Sequence, residues 1–200
     1  MKVIGTKGCG SVLAEASLIL AGVSFEREEV DYEHPTPAFL ALNPLGQVPT
    51  IVMDDGSIMT ETAAFAIWLD GEHPRAKLLP PMGDPARAQA LRWLVFFVAA
   101  IYPTFTFGDQ PEKFVGDAGE KLRASSNARR EGCWRQVEAA AKGPWFLGDQ
   151  FSILDVYLST MTLWRPRREW FAEHAPKLHA IATAVDADPR LRPLWDANFD

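Results

Sequence analysis

The stretch "NPLGQVPTIVMDDGSIMTETAAFAIWL", Asn43 to Leu69, decides the architecture, because strand, turn, strand and helix signals follow one another in it without a gap. "TIVM" and "SIMT" flank "DDG", and Gly56 accepts the positive φ that a tight turn needs, so two antiparallel strands are predicted. From Glu61 the apolar positions Ala64, Phe65, Ile67, Trp68 and Leu69 read as a helix that ends before His73 and Pro74. Pro49 cannot donate to a ladder, so it belongs at the first residue of a strand or at an edge.

Upstream, "KVIGT" is short and β-prone, and "GTKGCGSVLAEASLILAG" (Gly5 to Gly22) is a glycine-rich loop running into a helix with Val12, Leu13, Ala16, Ile19 and Leu20 near a 3.6-residue repeat. "SFEREEVDY" then alternates apolar and charged residues as a half-buried strand would. The first 76 residues therefore read as βαβ, a short helical or irregular piece, then ββα. Downstream, "HPRAKLLPPMGDPAR" is the best linker, and from Arg87 onward only helical patterns occur. The expected domains are 1–76, α/β with a mixed sheet, and 86–200, an all-α helical bundle, joined by 77–85.

The totals narrow the function. With Lys and Arg at 20 against 26 Asp and Glu, the formal charge is −6, which argues against nucleic acid or an anionic membrane as partner. The dense basic segment "RPRR", Arg165 to Arg168, reads as a solvated helix end. Cys9 and Cys133 lie far apart with no C-x-x-C, and His34, His73, His174 and His179 show no ligand spacing, so no metal site is expected. "MKVIGTKGCG" has no sustained apolar region and does not read as a secretory signal. "LVFFVAAIY" from Leu94 is expected to stop at Pro103, too short to span a bilayer, and the protein reads as cytoplasmic.

Three strings carry chemistry or its scaffold. A cis Val48–Pro49 bond would turn the backbone of Val48 outward to pair with an extended peptide; the alternative is an ordinary loop. Glu61 and Thr62 open a helix, where free N–H groups favour a ligand carboxylate and Glu61 can face an ammonium; the alternative is plain N-capping with a first-turn acid. In "GDQFSILDVYLS", Ser152 and Asp155 have the spacing of a capping box, with Phe151 placed to staple onto Val156, a structural device.

In this order and around this linker, the three strings resemble the glutathione transferase family over essentially the whole chain. The resemblance implies a thioredoxin-like N-terminal domain with Pro49 cis, followed by an all-helical domain with a hydrophobic pocket. It implies glutathione as co-substrate, held by Gln47, Val48 and Pro49 at the cysteinyl part and by Glu61 and Thr62 at the γ-glutamyl end. It also implies a homodimer and a hydrophobic electrophile as the second substrate. Tyr102, Phe105 and Phe107, in "WLVFFVAAIYPTFTF", are the candidates to line the electrophile's pocket.

The catalytic group has three candidates. The family activates glutathione by a tyrosine, serine or cysteine near the first strand and helix, and no tyrosine precedes Tyr32 here. Ser11 can donate to the thiolate, and is the first choice. Cys9 can form a mixed disulfide with glutathione, which would make the protein a thiol reductase. Otherwise the backbone N–H groups of the loop hold the thiolate, with Cys9 and Ser11 structural, or the fold serves as a non-catalytic binding module.

Overall fold

The computed structural model describes residues 1–199, which fall into two compact units. The first joins Met1–Pro81 to the segment from Ala184 onward, and the second is Met82–Thr183. The segment after Ala184, read from sequence as part of the helical domain, thus packs with the α/β part.

In the first unit, strands β1 (Lys2–Gly5), β2 (Glu26–Glu29), β3 (Thr50–Val52) and β4 (Ile58–Met59) form one mixed sheet in the order β2-β1-β3-β4. Strand β2 is parallel to β1, while β3 runs antiparallel to both β1 and β4. The Asp54-Asp55-Gly56 turn closes the β3–β4 hairpin, with Gly56 at φ 83° and the Met53 N–H bonded to the Ser57 carbonyl. Helices α1 (Ser11–Ala21) and α3 (Thr62–Glu72) pack on each other, and Val3, Ile4, Val12, Leu13, Ile51, Phe65 and Leu69 form the core. A short helix α2 (Pro37–Leu42) is capped by the Thr36 hydroxyl, which accepts from the Phe39 N–H.

One expectation fails here. All four residues of β2 are exposed, so it is a solvated edge strand rather than a half-buried one. Its charged side chains suit an unprotected sheet edge.

The second unit is helical: α4 (Pro85–Phe96), α5 (Tyr102–Asp109), α6 (Glu112–Val115), α7 (Gly119–Ala140), α8 (Ile153–Thr162), α9 (Arg168–His174) and the start of α10 (Pro176–Asp186). A last helix, α11 (Arg192–Phe199), belongs to the first unit. Pro103 does not stop the helix it was expected to end. Phe97–Ile101 forms a π turn in which the Tyr102 N–H reaches back five residues to the Phe97 carbonyl. The slipped register brings Pro103 into the first turn of α5, where a missing N–H costs little. The continuous run Pro85–Asp109 is long and apolar enough to cross a membrane by length and composition, and its Ala90, Trp93, Leu94, Phe97 and Ile101 are buried.

The capping box forms as read. Asp155 Oδ2 accepts from the Ser152 N–H at 2.8 Å and from its hydroxyl at 3.2 Å, while Oδ1 accepts from the Phe146 N–H at 2.7 Å. The Phe151 ring meets Trp145 edge-on at 5.0 Å.

Candidate functional site

Sheet register brings the separate sequence candidates of the first unit to one end. Ile4 pairs with Thr50, so the loop leaving β1 and the Gln47–Pro49 segment entering β3 lie side by side. Ile51 pairs with Met59, so the chain leaving β4 through Glu61 and Thr62 emerges at the same end. Gly5 pairs with Glu29, which adds the residues after β2, and the N-termini of α1 and α3 open there too. Two helix starts at the end of a sheet make a site suited to an anionic ligand.

The "NPLGQVPT" string folds as a turn around one carbonyl. Asn43 Nδ2 donates to the Gln47 carbonyl at 2.9 Å, the Thr50 hydroxyl donates to the same oxygen at 3.1 Å, and Asn43 Oδ1 accepts from the Leu45 N–H. Asn43 and Thr50 are buried, while Gln47 is exposed and Val48 half-buried, so the turn's polar interior is satisfied and its outer edge faces outward. The Val48–Pro49 bond is cis, and Pro49 is buried.

Glu61, the residue before α3, has φ 62° and ψ 95° and makes no side-chain cap bond. A non-glycine residue in this region is strained, and such strain collects at ligand-binding positions. Its carboxylate is exposed, and Thr62 follows at the first helical position.

The loop between β1 and α1 is pinned one N–H at a time. The Thr6 N–H donates to Ser11 Oγ at 3.3 Å, the Lys7 N–H to Glu29 Oε1 at 2.9 Å and the Gly8 N–H to Asn198 Oδ1 at 3.1 Å. The Cys9 N–H donates to the Thr6 carbonyl at 3.2 Å. Intrahelical bonding starts with the Val12 and Leu13 N–H groups, which reach the Cys9 and Gly10 carbonyls. The Gly10 and Ser11 N–H groups lie between the pinned loop and the bonded helix, at the positive end of the dipole. No acidic residue stands in the first turn of α1 to compete for them.

Ser11 turns inward. It is fully buried, and its hydroxyl proton goes to the Thr6 carbonyl at 3.1 Å. A Cβ on Gly5 would lie 2.4 Å from Ser11 Cβ, so glycine at position 5 makes the room that this burial requires. In this arrangement Ser11 has no proton to offer a ligand. Cys9 is half-buried, and burial first, then the charges of Glu29 and Glu33, push its thiol pKa up. A hydrogen bond from Tyr32 works against that rise. The Cys9 thiol is therefore protonated near neutrality.

Tyr102, Phe105 and Phe107 lie on α5 of the second unit. Phe105 is buried, with the Arg130 guanidinium 4.2 Å over its ring and Trp164 edge-on at 5.3 Å. Tyr102 is half-buried against the same Trp164, and Phe107 is exposed and packs edge-on with Phe114. Cys133 is buried on α7.

Tyr32, Glu29 and Asn198 escaped the sequence reading. The "DY" that closes the second strand's segment was a usable signal for Tyr32, because a parallel neighbour of β1 must end beside the loop that β1 feeds. Nothing local could have announced Asn198, which lies 190 positions from its partner.

Residues 14–72 match the family model described as "Glutathione S-transferase, N-terminal domain". The chain is 39% identical to the uncharacterized GST-like protein YncG of Escherichia coli (strain K12), over 99% of this chain and 98% of that protein. A glutathione transferase homolog from Sulfitobacter, solved with bound glutathione, has the same fold at TM-score 0.86 and 24% identity, covering 100% of this chain and 98% of that one. A sphingomonad glutathione S-transferase complexed with glutathione superposes at TM-score 0.80 and 26% identity, covering 99% and 98% of the two chains.

Proposed function

Because the chain belongs to the glutathione transferase family, we propose that it binds glutathione at the sheet end described above and transfers its thiolate to a hydrophobic electrophile. The observation that carries the reading is the convergence, set by strand register, of the Gln47–Pro49 turn, the Glu61–Thr62 helix start and the mouth of α1. In this reading the Val48 backbone pairs with the cysteinyl part of glutathione, with Gln47 and Pro49 shaping the turn on either side. The Thr62 N–H and hydroxyl take the γ-glutamyl carboxylate, and the Glu61 carboxylate takes its ammonium.

The sulfur then arrives at the opening of α1. Since the Ser11 proton is committed to Thr6 and the Cys9 thiol holds its own proton, the thiolate is stabilised by the Gly10 and Ser11 N–H groups and the helix dipole. These donors are fixed in place before the ligand arrives, so the charged form of the thiol is favoured without rearrangement. Thiolate attack forms the carbon–sulfur bond, and the electrophile's leaving group departs with the electron pair; for conjugate addition, the adduct carbanion takes a proton from water. Tyr102, Phe105 and Phe107 of the second unit are the residues proposed to receive the electrophile, with Tyr102 able to polarise its carbonyl or leaving group. The raised pKa of Cys9 disfavours the thiol-reductase alternative, because exchange needs a thiolate. The proposal extends to a cytoplasmic homodimer, which sedimentation tests: a single 22.2 kDa species would refute the dimer.

Titration calorimetry with glutathione, followed by a conjugation assay on a halogenated nitroarene, tests the function. Binding with turnover supports it. Folded protein that binds no glutathione sinks the reading, and binding without turnover reduces it to a binding module.

A further inference from the structure

We propose that Asn198, on the C-terminal helix α11, is a positioning residue for the Cys9–Ser11 turn; the inference rests on the glutathione reading above. The side chain is buried and fixed at both ends. Its Nδ2 donates to the Leu194 carbonyl at 2.9 Å, one turn back on α11, and this bond aims Oδ1 at the Gly8 N–H, 3.1 Å away.

The place where this bond lands gives it leverage. Gly8 has φ 70°, a backbone conformation that calls for glycine, and a Cβ there would sit in van der Waals contact with the Asn198 carbonyl oxygen at 3.4 Å. Gly8 and Gly10 flank Cys9, and two glycines leave the intervening peptides free to rotate unless something outside holds them. The other pins are local or come from nearby elements: the Thr6 carbonyl, which takes the Cys9 N–H, Ser11 in the first turn of α1, and Glu29 at the end of β2. Asn198 fixes the Lys7–Gly8 peptide, one peptide before the one that enters Cys9, from the far end of the sequence. With it removed, the Gly10 and Ser11 N–H groups lose their aim, and a thiolate bound to them loses stabilisation. The C-terminal helix is thereby part of the site although it touches no ligand in this account. A cavity of about 390 Å³ lined by Lys7, Glu29, Leu194 and Asn198 among others gives a substituted side chain room.

The test uses the full chain with Asn198→Leu, which removes both bonds, and Asn198→Asp, which gives up the donor to Leu194 but keeps an acceptor oxygen within reach of the Gly8 N–H. Leu191→Ala, at another fully buried position of the same unit, controls for general loosening. The first readout needs no ligand: the rate of Cys9 alkylation by iodoacetamide against pH, followed by mass spectrometry. The second is the pKa of bound glutathione, read from thiolate absorbance. N198L should alkylate Cys9 at least about threefold faster and raise the bound-thiol pKa by about one unit, while N198D does neither the first nor more than a fraction of the second. Should N198L fail to fold, Asn198→Ser, too short to reach Gly8, carries the same expectation. Wild-type alkylation in N198L, an unchanged pKa of bound glutathione, or an equal acceleration in L191A overturns the proposal. Accelerated alkylation in a protein that binds no glutathione would instead retain the positioning of the turn and sink the functional reading on its own.

Discussion

Ser11 and Thr6 exchange a reciprocal pair of hydrogen bonds: the Ser11 hydroxyl donates to the Thr6 carbonyl at 3.1 Å and accepts the Thr6 N–H at 3.3 Å. This closes the loop on itself and makes a buried serine part of the scaffold on which the loop is built. Ser11→Ala should therefore act on stability. It leaves the part-buried Thr6 N–H without its acceptor and takes one of two donors from the Thr6 carbonyl, which keeps the Cys9 N–H, a loss of about 1 kcal/mol. Urea unfolding should show that loss, while the pH profile of conjugation keeps its wild-type midpoint. A shifted midpoint with unchanged stability would restore Ser11 as the thiolate donor.

Cys9→Ala should retain glutathione affinity and turnover within about threefold, a change of under 1 kcal/mol. The reason is the protonated, partly buried thiol, whose charge is opposed by burial and by Glu29 and Glu33. Steady-state kinetics check this, and a loss of two orders of magnitude or more would make Cys9 the reactive group.

Glu61 separates binding from stability. Glu61→Gly removes both the carboxylate and the penalty of φ 62°, so it should gain roughly 1 kcal/mol of stability while weakening glutathione binding. Glu61→Gln keeps the strained backbone and should weaken binding with stability unchanged. Calorimetry and thermal unfolding on both variants decide it; equal affinities across wild type, E61G and E61Q would remove the ammonium contact from the account.

How far these residues were legible in the sequence follows from the range of the interactions. The β3–β4 hairpin and α3 could be read because Gly56 and the Glu61–Leu69 periodicity act locally, and the Asp155 box because its partners lie three residues apart. Ser11 could not be placed, since its burial depends on the absent side chain of Gly5 and its hydrogen bonds reach back to Thr6. The exposed β2 deceived by alternation: "EREE" has no apolar residue to bury, and Phe25 and Val30 lie outside the strand. Pro103 misled because a π turn can admit a proline that an α-helix would reject. The Gly8–Asn198 bond joins the two ends of the chain, a relation that only tertiary structure reveals.

Asp155 sets a pH signature for the helical unit. Burial pushes its pKa from 3.8 up to about 6, even though three hydrogen bonds hold the charged form. The folded protein therefore keeps the proton at a pH where the unfolded chain has lost it. That contribution is present in full below about pH 3.8 and is lost as pH rises through about 6, a span worth about 3 kcal/mol. The stability difference between wild type and Asp155→Asn should shrink by about that amount between pH 4 and pH 7 in urea titrations. A difference that stays flat or grows with pH would contradict the assignment.

The central claim is that backbone N–H groups at the start of α1 hold the glutathione thiolate, and the Ser11→Ala/Cys9→Ala double variant tests it most directly. Thiolate absorbance of bound glutathione against pH gives the thiol pKa in wild type and double variant side by side. The account predicts a value at least about one unit below that of free glutathione in both proteins, the equivalent of about 1.4 kcal/mol of differential stabilisation. A depressed value in wild type that returns to the free value in the double variant would contradict it, and would assign the thiolate to a side chain.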